Sequence, residues 1–218
     1  MTIPSPLVTL GAVRLGLLGP LPDASTPSVV EQASDFLLTR QTVNRVIYLG
    51  ADGALEAAVE NWARRLVGND PTDDAAWGRA AKLAKQGAPA EIDLFVTAER
   101  TRLRLRSLES LPHRILRTME MVGDRVAVLI FDKGLLDEED IFAANILIYG
   151  KSDGPLIKKI GARWFVTPGP LGPNGGVIVL DDSEAEIHAK LFDVSGNLRA
   201  TEILALPKPT KLRVQGGA

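Results

Sequence analysis

The sequence predicts an α/β fold built from two stacked β-sheets flanked by helices, and three observations predict it. Residues 13–49 read as strand, helix, strand, the order of a right-handed parallel crossover. Residues 54–111 are dominated by helical periodicity. Beyond residue 112, short apolar runs alternate with Gly, Pro and Asn turns, so the C-terminal half is rich in β-structure. Two strand-bearing halves, each with an apolar set to bury, are satisfied when sheets pack face to face beneath helices.

Residues 13–18 (Val-Arg-Leu-Gly-Leu-Leu) form a short buried strand stopped by Gly19 and Pro20. Three prolines mark residues 20–27 as a loop, and Ser28 is placed to cap the helix that follows. In that helix Val29, Val30, Ala33, Phe36, Leu37 and Leu38 recur on one stripe. Residues 45–49 form the second strand, ended by Gly50, and residues 54–66 and 73–85 are helical. Residues 90–111 carry two periods at once. Leu94, Ala98, Leu105 and Leu108 fit a helix, whereas Arg100, Arg102, Arg104 and Arg106 alternate with Thr101, Leu103 and Leu105 as in a strand; helix is the reading taken.

Residues 114–121 and 125–131 flank Val122-Gly123-Asp124, a hairpin signal. A short acidic helix over residues 137–143 leads into a strand at 146–149. Further strands are expected at 164–167, 176–180, 186–193 and 199–206, with turns at 172–175 and 195–197.

With 218 residues, residues 1–206 are expected to form a single domain and residues 207–218 a flexible C-terminal tail. A net charge of -2 gives no broad attraction to nucleic acid or membrane. The absence of cysteine excludes disulfides and thiolate metal sites. Residues 1–11 lack a basic region and carry Pro4 and Pro6, so they do not read as a signal peptide. The longest apolar run, residues 126–131, is far too short to span a bilayer. A cytoplasmic location is the default expectation.

Residues 144–157 read Ala-Asn-Ile-Leu-Ile-Tyr-Gly-Lys-Ser-Asp-Gly-Pro-Leu-Ile, and residues 165–172 read Phe-Val-Thr-Pro-Gly-Pro-Leu-Gly. This pattern resembles the last third of the calcineurin-like metallophosphoesterases, in the branch of small phosphodiesterases and the retromer small subunit. There one strand ends in Gly-His-Thr-His-x-Pro and the next in Asn-Pro-Gly-Ser-x-Gly. The likeness covers residues 13–50 and 112–206. It implies a four-layer α/β/β/α sandwich of two stacked mixed β-sheets, with two divalent metals held on strand-end loops. Such a pair activates a water and neutralises phosphate charge.

The chain departs from that pattern at every motif. Where the family has Asp-x-His after the first strand, Pro20-Leu21-Pro22 stands here, and Ala51 replaces the bridging Asp after the second. Gly68-Asn69-Asp70 is matched to the third motif, leaving Asn69 as a ligand-type residue. Lys133 occupies the place of the fourth-motif histidine, and Lys151 and Asp153 replace both histidines of the fifth. Lysines at 133 and 151 put positive charge where cations would sit. The two histidines, His113 and His188, read as ordinary strand residues outside the motif loops.

The resemblance with its losses implies a catalytically inactive scaffold that binds a protein partner, with no cofactor and no metal, as the retromer small subunit acts as a scaffold. Two alternatives stand beside it. One is a metal-dependent phosphoesterase with a rearranged acidic site, because Asp23, Asp52, Asp70, Asp132 and Asp153 each lie near a motif loop and oxygen ligands suit hard cations. Asn69, Asp70 and Asp153 are its candidates. The other is an anion or nucleotide sensor in which Lys133 and Lys151 hold the charge. Against the acidic site, Asp is common in loops because it caps helices and closes turns.

Gly150-Lys151-Ser152 echoes a phosphate-binding P-loop, but Asn145 stands where that motif needs glycine and a strand precedes the pair. The Gly169–Gly176 stretch lacks nucleotide-binding spacing and reads as a turn. The arginines from Arg100 to Arg106 read as a solvated charged face, with contact to an acidic partner or phosphate as the alternative. Trp62, Trp77 and Trp164 are expected in packing; any one that is exposed becomes the first candidate for an interface anchor.

Overall fold

Strand β1 (Arg14–Leu18) lies inside a six-stranded sheet because every second residue has apolar company on both faces. Leu15 and Leu17 face the space between the sheets, while Leu18 packs under helices. Gly16 between them lets helical residue Leu37 sit on the sheet, since a Cβ there would come within 2.9 Å of its side chain. The computed structural model describes residues 13–22, 27–184 and 186–205. Asp23 and the readings made for residues 1–11 and 207–218 lie outside the described residues.

From β1 the chain enters α1 (Ser28–Asp35), which begins at Ser28 with Pro27 in the cap position. A wider π-helical turn, Phe36–Arg40, continues it and buries Phe36, Leu37 and Leu38 in succession. Strand β2 (Arg45–Tyr48) then pairs parallel to β1, completing the expected crossover. Three helices follow: α2 (Ala54–Val67), α3 (Asp73–Gln86) and α4 (Pro89–Arg104). After a 3-10 turn, β3 (Leu108–Ser110) pairs parallel to β2 at the sheet edge.

The second sheet begins with the hairpin β4 (Arg117–Val122) and β5 (Arg125–Ile130), joined through Gly123 at φ 60°. Helix α5 (Glu138–Ala143) is capped by Asp137, whose side chain accepts from the Asp140 amide. Strands β6 (Ile146–Tyr149), β7 (Leu156–Ile160) and β8 (Arg163–Thr167) complete the sheet in the order β4-β5-β6-β8-β7. The chain then returns to the first sheet as β9 (Gly176–Asp181), β10 (His188–Asp193) and β11 (Leu198–Ile203), giving β11-β10-β9-β1-β2-β3. Each sheet is mixed: β1, β2 and β3 are parallel in one and β5, β6 and β8 in the other, with the remaining strands antiparallel.

Two apolar layers hold this arrangement. Leu15, Leu17, Ile47, Leu129, Ile148 and Ile178 interdigitate between the sheets. Leu18, Val46, Tyr48 and Val179 pack beneath α1 and α2. Each fully buried aliphatic side chain contributes about 1.5–3 kcal/mol. The outer face of the second sheet has a much smaller cluster, Val128, Ala144 and Leu147, under the single short helix α5. The stacked mixed sheets with helices outside are the predicted architecture, with one outer layer thinner than the other.

The structure corrects several boundaries. The predicted helix over 90–111 stops at Arg104, and its last part is the strand β3, too short at three residues to impose a period. Strand β7 is an additional edge strand; its Leu-Ile-Lys-Lys-Ile run is largely exposed and shows no alternation. Residues 114–116 turn rather than extend, with Leu116 at φ 50°. The arginine run is not a uniformly solvated face. Arg102 is buried against Glu99, Arg106 pairs with Asp73, and Arg104 donates to the Leu38 carbonyl.

Candidate functional site

The parallel strands of both sheets end on one edge of the sandwich, and their loops close against each other. A Cβ on Gly150, after β6, would lie 2.1 Å from the Leu49 carbonyl oxygen after β2. One on Gly19, after β1, would lie 1.7 Å from the Gly169 carbonyl oxygen after β8. Glycine is therefore required at both crossings for the backbones to meet. The Gly19 amide donates to the Gly176 carbonyl at 2.8 Å, which fixes the rim further.

On the first-sheet side, Pro20 and Pro22 carry no donor atom in their side chains. Between them the Leu21 amide donates to Tyr48 Oη at 2.9 Å, and that hydroxyl donates to the Asp52 carboxylate at 2.9 Å. Burial pushes the Tyr48 hydroxyl well above its ordinary pKa; the Leu21 amide opposes this and Asp52 adds to it. A neutral phenol thus fills the corner between β1 and β2. Asp52 Oδ1 also accepts from the Ala54 amide at 3.0 Å, so Asp52 is committed to the start of α2. Ala51, its neighbour, presents only a methyl group.

On the second-sheet side, Lys151 Nζ lies 2.6 Å from Asp132 Oδ2, and Asp132 Oδ1 accepts from the Gly134 amide at 2.9 Å. Lys151 first, and then the Gly134 amide, hold the Asp132 carboxyl below the usual carboxylate range. Lys133 Nζ stands 5.0 Å from the centroid of the Tyr149 ring, a cation–π distance. The Thr167 hydroxyl donates to Ser152 Oγ at 2.9 Å, and Ser152 in turn donates to the Gly154 carbonyl at 3.0 Å. The exposed Asp153 lines a separate cavity of about 370 Å³ with Pro22, Pro155, Pro170 and Pro173. Lys151 and Asp153, close in sequence, therefore serve different places.

The third motif is placed differently from the sequence expectation. Gly68-Asn69-Asp70 joins α2 to α3, where Asp70 accepts from the Thr72 amide and hydroxyl, and Asn69 lines a cavity with Glu31 and Arg65. The loop that follows the third parallel strand of the first sheet is Leu111-Pro112-His113. His113 Nε2 lies 3.6 Å from Glu56 Oε1 at the start of α2. His113 thus belongs to the strand-end rim, a placement hidden because β3 has no sequence signature. His188 is on β10, 3.2 Å from Glu184.

A dinuclear metal centre needs imidazole nitrogens and carboxylate oxygens converging on one point. Pro20, Pro22 and Ala51 supply none, and Lys133 and Lys151 bring cations instead. Asp52, Asp70 and Asp132 spend their oxygens on loop amides, a phenol or a lysine. Among the described residues no three His, Asp or Glu side chains gather where they would hold an ion. The described residues do not fit the two-metal group that the resemblance implies.

No family model matches the chain, and no curated protein matches it in sequence. Solved structures are similar to it. A predicted phosphoesterase from Streptococcus pneumoniae aligns over 89% of this chain and 98% of its own, at 10% identity and a TM-score of 0.49. Vps29 from Entamoeba histolytica, complexed with zinc, aligns over 88% and 100% at 14% identity and a TM-score of 0.47. An archaeal phosphodiesterase aligns over 83% and 100% at 11% identity and a TM-score of 0.47. These are likenesses of chain path, and the chain's own two mixed sheets flanked by helices are the architecture that its resemblance to the calcineurin-like metallophosphoesterases implied.

Proposed function

We propose that this protein is a catalytically inactive, metallophosphoesterase-like scaffold that binds a protein partner. The observation that carries the reading is the ion pair of Lys151 and Asp132, 2.6 Å apart at the strand-end rim. It pairs the acid nearest the fourth and fifth motif positions with an ammonium group, whose charge opposes a metal cation beside it. Prolines at 20 and 22 and alanine at 51 support the same reading on the other sheet. A scaffold also needs surface to offer, and Phe142 is 87% exposed on α5 while Trp77 is 76% exposed on α3. The sensor reading is weaker, because Lys151 is paired and Lys133 is stacked on Tyr149.

The test is direct. Protein purified without chelator is expected to carry no stoichiometric metal and to give no binding heat with Mg²⁺, Mn²⁺ or Ca²⁺. Bis-p-nitrophenyl phosphate with Mn²⁺ is expected to turn over no faster than in its absence. Turnover lost on Asp70→Asn or Asp153→Asn would overturn the reading in favour of a rearranged acidic site.

A further inference from the structure

Between the loops that follow β1, β6 and β8 lies a cavity of about 370 Å³ whose walls are rings and backbone more than flexible side chains. Pro22, Pro155, Pro170 and Pro173 line it, with Leu171 and Val194. These walls are tied down. The Leu171 amide donates to the Pro20 carbonyl at 3.0 Å, and the Val194 amide to the Gly172 carbonyl at 3.2 Å. Arg199, paired with Asp193, donates to the Pro173 carbonyl at 2.9 Å. The Pro155 ring packs so close to Gly175 that a Cβ there would come within 3.1 Å of it. A cavity already formed in this way costs little ordering when a ligand enters.

Among the described residues Asp153 is the one charged group of this lining. Its loop is anchored on both sides: Ser152 Oγ lies 2.9 Å from the Thr167 hydroxyl and donates to the Gly154 carbonyl at 3.0 Å. Asp153 itself has no hydrogen bond or ion pair among the described residues. Asp52 and Asp132, on the same rim, are committed to Tyr48 and Lys151. Asn174 lines the cavity too, and its side chain likewise has no bond among the described residues. An ionised carboxylate only accepts, and the Asn174 amide oxygen can accept beside it, so this polar equipment suits a cation that carries N–H donors. No aromatic ring is in the lining, so a quaternary ammonium finds no ring face to hold it.

We infer that this cavity binds a small organic cation, a primary ammonium or guanidinium on a short aliphatic body, with its N–H groups on Asp153 and its carbon chain against the prolines. The volume stands at the small end of the range for ligand cavities, about 300–1,000 Å³, which fits a free small molecule. The inference goes beyond the scaffold reading and does not rest on it.

The experiment titrates the full chain, labelled with nitrogen-15, and follows its amide resonances. The cationic probes are pentylamine and agmatine; pentanol, pentanoate and pentyltrimethylammonium are the comparisons. Both cations are expected to move the resonances of Asp153, Gly154, Gly172, Asn174 and Gly175. Pentanol and pentyltrimethylammonium should bind about tenfold or more weakly, and pentanoate should leave these resonances in place. Asp153→Asn, at an exposed position, should weaken the amines by about tenfold or more with thermal unfolding unchanged. Asn174→Lys, which sets a competing ammonium on the cavity, should do the same. Pentanol binding as well as pentylamine, amines indifferent to Asp153→Asn, or shifts confined to other surface carboxylates would overturn the inference. So would silence with both amines. No readout here involves phosphodiester turnover or a protein partner, so failure would leave the scaffold reading standing.

Discussion

Arg45 and Glu120 join the two sheets. The Arg45 guanidinium, on β2, lies 2.8 Å from the Glu120 carboxylate of β4 while its Nε donates to Glu109 of β3 at 2.9 Å. One side chain therefore clamps the edge where both sheets have their end strands. The pair is partly exposed, so its worth is about 0.5–1 kcal/mol. Glu120→Gln is expected to lower the unfolding free energy by that amount in urea titration and to speed amide exchange in β4 while leaving β1 protected.

Gly150→Ala tests how closely the sheets meet at the strand ends. The added methyl carbon would lie 2.1 Å from the Leu49 carbonyl oxygen, which is backbone and has no rotamer to yield. A loss of about 3 kcal/mol or more is expected in denaturant unfolding. Gly154→Ala, whose Cβ meets nothing within 4 Å, is the control, and it should change stability by less than about 0.5 kcal/mol.

Tyr48→Phe removes the hydroxyl that sits between Leu21 and Asp52. The Leu21 amide then loses its acceptor in a partly buried place, and the cost is expected at about 1–2 kcal/mol. Asp52 keeps the Ala54 amide, so α2 should retain its start. Chemical denaturation measures the loss, and amide exchange at residues 54–58 reports whether the helix end holds.

Acid should loosen the α3–α4 hairpin before the core. Burial by itself would raise the Glu99 carboxyl, but hydrogen bonds from Arg79 and Arg102 outweigh it and hold the folded-state pKa below the usual value. A depressed carboxylate stabilises the fold fully above its unfolded pKa, about 4.3. That stabilisation is lost as pH falls through the lower folded value. Amide exchange in α3, corrected for its intrinsic pH dependence, is expected to rise below about pH 4 while β1 and β6 stay protected. Glu99→Gln should shrink the pH step to the part carried by Asp73, whose carboxyl Arg106 and Arg102 also hold below the usual range, and leave the hairpin looser already at neutral pH.

The rim loops show where sequence is enough and where it is not. That Pro20, Pro22, Ala51, Lys133 and Lys151 bring no carboxylate or imidazole is a matter of residue type, and no packing converts a proline or an ammonium into a metal ligand. What those residues do instead depended on the fold. Lys151 finds Asp132 through the parallel pairing of β5 and β6, and Tyr48 finds Leu21 through that of β1 and β2.

By itself the sequence determined the layered α/β class and most strands and helices, because these rest on periodicity and side-chain chemistry that each segment carries alone. Only the tertiary structure decided that His113 belongs to the strand-end rim, that Asn69 does not follow a strand, and that Trp77 faces solvent. Each of these turns on contacts between segments far apart in the chain: a three-residue edge strand that exists because β2 offers it hydrogen bonds, and a helix pair in which Glu99 and Arg102 took the interior and Trp77 was left outside.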